Sequence, residues 1–368
     1  MATYYVSTTG NDSTGDGSSG NPYATPGKAS GVASASGDVI ALKSGTYTVT
    51  TATANVAGGV VSLQAGVSLV GYGATVGDFG TPPVISAGSV GSITIVTHAG
   101  GYFGLENSII NVTADGNNQT SVVGFDLSPL YSIVCYRCQA FNCTSRGFLG
   151  SASTPSPILC LCYNCAVSFY GFVGLAYCAA HSGSYAGAGS GFGVGSVFSH
   201  CIAYNCYNGF DPGYPILMVN CTAHANSQAG IDMPFDIATI VNCLLTNNGT
   251  YGLKNAGGTT RLNANNAYYA NTSGKYNTFD AYIFNEIVLS GDPYANAAGA
   301  AAARTYLDLA AALTPNNTAG AGAALRGLGV APYGDVGAIQ HQDSGGGGSA
   351  GGGTIIGSPI VRGLGRVA

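Results

Sequence analysis

Several segments of this chain repeat one spelling. Arg137-Cys138-Gln139-Ala140-Phe141-Asn142 runs on to Gly147-Phe148, and Asn164-Cys165-Ala166-Val167 runs on to Gly171-Phe172. His200-Cys201-Ile202-Ala203-Tyr204-Asn205 leads to Gly209-Phe210. Asn220-Cys221-Thr222-Ala223-His224-Ala225-Asn226 leads to Gly230-Ile231, and Asn242-Cys243-Leu244-Leu245-Thr246-Asn247 to Gly252-Leu253. A weaker copy spans residues 263–271. The shared text is Cys, most often Ala two residues on, then Asn, a short turn, then glycine and an apolar residue. Cysteines 201, 221 and 243 stand 20 and 22 residues apart, within the periods at which chains stack one structural unit on the next.

A unit of that length holds only short strands and tight turns, so its strands must pair with units above and below, about 4.8 Å away. Side chains alternate across a strand, so Cys and the next-but-one Ala face the same way, inward. Stacking then sets like on like: a thiol column at Cys138, Cys165, Cys201, Cys221 and Cys243, an apolar column after the glycine, and an asparagine column at the turn. Asparagine suits the turn because it tolerates left-handed dihedrals and bonds local backbone. Leucine-rich solenoids carry Leu-x-x-Leu-x-Leu, which is missing here.

Composition agrees with a turn-rich all-β stack. Glycine numbers 58 and tyrosine 23, while charged residues make up 7% against roughly a quarter in ordinary domains. A hydrophobic share of 46% with a net charge of −5 excludes a disordered chain. Eleven Lys and Arg, scattered, leave no basic footprint for nucleic acid. No apolar run approaches the ~20 residues of a membrane helix. Eleven cysteines cannot all pair within one chain, and their periodic placement reads as small apolar thiols in a core. The opening Met1-Ala2-Thr3-Tyr4-Tyr5-Val6 reads as a strand, without the basic start and apolar stretch of a secretory signal. The expectation is synthesis in a cytoplasm without a signal peptide.

The two ends carry a resemblance. Tyr4-Tyr5-Val6-Ser7, Gly10-Asn11-Asp12, Asn21-Pro22-Tyr23-Ala24-Thr25, Gly37-Asp38-Val39-Ile40 and Gly45-Thr46-Tyr47 resemble the opening of pectate-lyase-like proteins. Asp335-Val336-Gly337-Ala338-Ile339-Gln340 resembles that superfamily's closing coil. The resemblance implies a right-handed parallel β-helix, a solenoid with an N-terminal cap and an extended C-terminal tail. It spans about residues 3–342 and includes a virion-associated, phage branch beside polysaccharide lyases and hydrolases, so fold alone selects no function.

The expected organisation is a cap over residues 1–35, coils over 36–292, a closing coil and C-terminal cap over 293–343, and a glycine-rich linker with a docking tail over 344–368. The period breaks near residues 178–195, which reads as an insertion. Arg304 to Leu313 reads as a short helix ended by Pro315, placed to cover the open end of the stack. In the tail, Ile355, Ile356, Ile360, Val361 and Leu364 are apolar beside Arg362 and Arg366. A segment of this kind after a flexible linker suits docking onto a partner chain.

One set of residues is a candidate for chemistry. In the repeat the position after the post-glycine apolar residue reads Leu149, Val173, Asp211, Asp232 and Lys254. In the superfamily's enzymes carboxylates hold calcium and a basic residue abstracts a proton, or clustered Asp hydrolyse. By that resemblance Asp211 and Asp232, with Asp236 near by, are candidate calcium ligands, and Lys254 is a candidate base. The same column is also what a solvated charge ladder looks like, and Asp211-Pro212 and Asp232 near Pro234 are ordinary turn text. The stronger expectation is therefore a structural virion protein of a bacteriophage, a decoration, fibre or tail component with no cofactor. It would be a homotrimer, attached to other virion proteins through its C-terminal tail. The alternative is a tailspike-like polysaccharide lyase or hydrolase acting on a surface glycan, with calcium.

Overall fold

The structure, a computed structural model, describes residues 1–99, 107–128, 133–151, 157–181, 189–213, 216–233, 237–255, 260–277, 282–328 and 335–339. Their strands are short, parallel and stacked coil on coil into three faces. Face 1 begins with Thr3–Val6, Val39–Lys43, Ser68–Tyr72, Asn107–Ile110 and Ile133–Tyr136. A bridge through Ile158 carries it to the far ends of Val167–Ala176 and Phe192–Ser199. It continues through Ile216–Val219, Ile237–Val241, Thr260–Ala264 and Tyr282–Phe284. Face 2 runs from Thr46–Val49 to Ile287–Val288, and face 3 from Gly59–Leu63 to Gly274–Tyr276. This is the right-handed parallel β-helix that the repeat and the chain ends imply.

From Asn111 to Asn265 the corner between faces 1 and 2 is a single left-handed residue in each coil. Asn111, Arg137, Leu159, Tyr177, His200, Asn220, Asn242 and Asn265 all have φ between 52° and 61°. That conformation costs an ordinary residue roughly 1–2 kcal/mol and asparagine less. The next residue turns inward, giving a column of Cys138, Cys160, Cys178, Cys201, Cys221 and Cys243, one per coil by strand register. A second left-handed corner, at Asn142, Asn164, Asn205, Ala225, Asn247 and Ala270, leaves face 2. The residues that follow it are Cys143, Cys165 and Cys206, then Asn226, Asn248 and Asn271. All eleven thiols are buried, and none forms a disulfide. The single thiol column expected from the sequence is thus two. Cys165 belongs to the second corner, and Cys160 takes its place in the first.

Inside face 3 the rings of Phe125, Phe148, Phe169, Phe192 and Phe210 stack at centroid spacings of 4.9, 4.9, 5.1 and 4.7 Å, close to the coil repeat. Phe148 pairs with Phe169, so the sequence alignment that matched it with Phe172 is corrected by three residues. Gly171, the glycine that misled it, has φ +87° and lies inside the long strand Val167–Ala176, where a Cβ would meet the Gly150 carbonyl at 2.5 Å. The expected insertion near residues 178–195 narrows to the stretch between His181 and Phe192, which is five residues longer than Tyr204 to Phe210 on the next coil. Cys178, Ala179–His181 and Phe192 are regular coil positions on either side of residues 182–188, which lie outside the described set.

At the start of the chain Asp12 accepts from the Ala24 and Thr25 amides and the Thr25 hydroxyl at 2.8, 3.0 and 2.6 Å, fixing the entry to the helix Pro26–Val32. That helix packs Ala29 into the core beside Gly59–Leu63. The C-terminal segment behaves differently from expectation. Its helix Tyr306–Ala312 lies on the outer flank of face 2, where the expected position was the open end of the stack. Outward-facing Leu161, Ala179, Ile202, Leu244 and Ala267 form a second apolar cluster with Leu289, Tyr294, Tyr306, Leu309, Leu325 and Val336. The reason is local. Leu, Ala and Ile on the outside of a sheet must be covered, and a 7-residue helix flanked by small residues fits along them. Residues 335–339 dock on the same flank, with the Gly337 amide donating to the Asn242 carbonyl and the Ala338 amide to Thr222 Oγ1.

Candidate functional site

Face 3 is the side that presents charge. Its outward row, read from strand register, is Asp126, Leu149, Tyr170, Gly193, Asp211, and then Asp232 paired with Lys254. Each stands outward because its neighbour along the strand, in the Phe125 to Phe210 stack or at Ile231 and Leu253, points in. Tyr170 therefore replaces Val173 in the row, and Gly193 adds a coil ahead of Asp211.

Asp211, Asp232 and Lys254 do come together on three successive coils. Lys254 Nζ lies 2.8 Å from Asp232 Oδ2, with the lysine side chain 41% exposed and the aspartate 15%. Asn208 Nδ2 donates to the same carboxylate oxygen at 3.3 Å. Ser190 Oγ donates to Asp211 Oδ2 at 3.1 Å. Burial raises the pKa of Asp211 above the usual carboxylate range, and the negative charge of Asp232 adds to the rise. The hydrogen bond from Lys254 to Asp232 raises the lysine pKa above its ordinary value. A general base needs the opposite: an amine that sheds its proton near neutral pH. Lys254 in this setting is a fixed cation.

Calcium asks for six to eight oxygen ligands around a free pair of carboxylates. Here an ammonium already occupies Asp232, and among the described residues no group of three or more His, Cys, Asp or Glu side chains gathers to hold a metal. Asp211 and Asp232 by themselves do not make up that set. Asp236 lies outside the described residues, as do Ile355, Ile356, Ile360, Val361, Arg362, Leu364 and Arg366 of the tail.

The sequence reading missed the flank of face 2. Phe141, Tyr163, His181, Tyr204 and His224 form an outward ladder of rings with successive centroids 5.9, 4.8, 4.8 and 5.6 Å apart. Arg304 of the C-terminal segment lies 4.0 Å over the Tyr163 ring, and Tyr294 packs 4.7 Å from His224. The alternation of rings at the third strand residue was present in the repeat text, yet it lay outside the Cys, Ala, Asn and Gly positions that define the repeat.

A search of solved structures returns a pectate lyase, Pel9A, at TM-score 0.56 and 16% identity, covering 93% of this chain and 97% of that one. The chain has the pectate-lyase-like right-handed parallel β-helix fold. A protein of Geobacillus virus E2, ORF18, matches at TM-score 0.46 and 13% identity over 70% of this β-helix and 55% of that chain. Tailspike protein 3 of bacteriophage CBA120 matches at TM-score 0.36 and 12% identity, over 77% and 61%. At 16% identity, what the pectate lyase shares with this chain is the fold. No family model matches the β-helix, and no curated protein matches it significantly.

Proposed function

We propose that this β-helix is a non-enzymatic structural component of a bacteriophage particle, a decoration, fibre or tail protein. In this reading it acts as a homotrimer, attached to other virion proteins by residues 354–368. The observation that carries the reading is the state of the thiols. All eleven cysteines are buried and none forms a disulfide. A stack built on free thiols suits assembly in a reducing cytoplasm, where phage particles are made, and no step of its folding waits on oxidation. The fixed Lys254–Asp232 pair supports the same reading, since it takes the candidate base out of use. No cofactor is called for. Particles purified from the producing host, analysed for protein composition and copy number, test the proposal. The chain is expected in the particle at a copy number set by its symmetry, and its absence would refute the assignment.

A second reading, a lyase or hydrolase on a surface glycan, draws on one feature: Asp211, with its raised pKa, stands on the exposed side of face 3 one coil from Asp232. Incubation with uronate and neutral polysaccharides, with and without calcium, separates the two. The expected result is no cleavage. Cleavage abolished by both Asp232→Ala and Lys254→Ala would establish the enzyme.

A further inference from the structure

The three faces of the stack are finished differently. Face 2 is sealed by the C-terminal segment. Face 3 carries Asp126, Arg146, Asp211, Asp232 and Lys254 on its outer side. Face 1 has two outward rows, and neither holds a charge among the described residues. In the upper coils one row runs Gly174, Val197, Leu217, Thr239, Leu262 and Tyr282. Beside it runs Ala176, Ser199, Val219, Val241, Ala264 and Phe284. The second row continues downward through Ile158, Tyr136, Ile110, Val70 and Ala41, again without charge. Lys43 stands only at the strand end.

In the upper coils this face meets solvent, while lower down it is covered, with Ala41 0% and Ile110 6% exposed and the Phe79 ring 6.0 Å from Tyr136. Val197 is 38% exposed, Leu217 42%, Phe284 54% and Tyr282 71%. Scattered exposed apolar residues are ordinary, but a continuous uncharged strip marks an interaction surface. The six open coils at ~4.8 Å, and a strand about 13 Å wide, give a face on the order of 400 Å². That lies within the roughly 300–600 Å² of the largest, often functional, apolar patch on a protein surface.

We infer that face 1 is the surface through which copies of this chain associate with one another. The kind of occupant follows from charge. Further copies bring the same uncharged rows, so turning every face 1 toward one shared axis leaves no ion to desolvate without a partner. A surface of ordinary charge content would bury ions against rows that offer them no counter-ion. The inference deepens the oligomer of the proposed function by naming its interface, and it holds or fails on its own measurement.

Light scattering on the full chain after gel filtration is expected to give a multiple of the single-chain mass. Val197→Glu with Leu217→Glu should reduce it to one chain with an unchanged far-UV circular dichroism spectrum, whereas Lys254→Ala on face 3 should leave the multimer intact. A single-chain mass for the wild type, or a multimer that survives the double substitution, overturns the inference. Should the double variant fail to fold, Leu217→Cys gives a second route, because the native thiols are buried. A short bis-maleimide is expected to link two copies through that residue, and no link overturns the inference. If the new thiol is shielded in a single chain and becomes reactive only when residues 345–368 are deleted, the chain's own tail is the occupant and the inference fails. Absence from purified particles would refute the particle role while leaving the multimer unaffected, so the two failures are distinct.

Discussion

His181, His200 and His224 are held neutral between the coils and the C-terminal segment. His200 accepts from Asn220 Nδ2 at 3.1 Å on Nε2, which leaves its Nδ1 proton for Ser199 Oγ at 2.8 Å, and Tyr306 OH donates to the His200 carbonyl. His224 Nδ1 lies 2.9 Å from Thr246 Oγ1, whose hydroxyl also meets Tyr294 OH. His181 lies between Tyr163 and Tyr204 and faces the charge of Arg304. Burial lowers all three pKa values to about 4, with Arg304 adding to the fall at His181, while Asp292 opposes it at His224. For a base whose folded pKa is lowered, the unfolded state binds more protons between the two values. Stability is therefore complete above about pH 6.5 and falls as the pH drops from there to about 4. Each ring contributes up to a few kcal/mol on this account, an upper bound. Urea unfolding at pH 7.5 and pH 5 is expected to show a lower midpoint at pH 5. A midpoint that does not change would show that these rings are not buried neutral in solution.

At the scale of the coil, two ladders hold the stack in register. The phenylalanine stack is continuous through five coils, so Phe169→Ala opens a void with a ring on either side and is expected to cost about 3–5 kcal/mol. The asparagine ladder is the polar counterpart. Asn226 donates to Asn248 and Asn248 to Asn271, at 2.9 and 2.8 Å, and each side-chain oxygen also accepts a backbone amide of the coil before it. Asn248→Ala strands the buried Asn226 amide and is expected to cost about 1–3 kcal/mol, measured by the same denaturation. Much of this was legible in the text. Like residues recurring at a coil's spacing announced the stack, the buried thiols and a turn asparagine. The phase was harder, because Cys165 and Gly171-Phe172 imitate the motif from the wrong corner and only strand pairing separates them. Asn226 was likewise read with Asn205, although it stands one residue further on and belongs to the inward ladder. The charged row was found in the right coils, at Asp211, Asp232 and Lys254, yet the ion pair that disarms the lysine depends on side-chain placement, which spacing does not report. The uncharged rows of face 1 have no motif at all: they are defined by what twelve coils together leave out.

For the whole molecule, the C-terminal segment decides where the fold ends. Residues 289–338 supply Leu289, Tyr294, Tyr306, Leu309, Leu325 and Val336 to the cluster on face 2, so a chain stopped at residue 288 leaves Leu161, Ile202 and Leu244 bare along one side. Burying such side chains contributes roughly 1.5–3 kcal/mol each, and a strip of them uncovered on a stack of open-ended strands invites association. That truncation is expected to aggregate on expression. Removing only residues 345–368 is a different operation. The flank is complete by Ala338, where the amide already reaches Thr222 Oγ1, and both inward ladders end well before it. The shorter chain is therefore expected to stay soluble, to unfold within about 1 kcal/mol of the full chain, and to keep its multimer, since face 1 lies wholly within the coils. What it should lose is attachment: on the proposed particle role, supplying only the shortened protein should yield particles that lack it. Particles carrying the shortened protein at full copy number would remove the docking role from the tail. Unfolding at markedly lower urea would instead place the tail among the parts that hold the coils together.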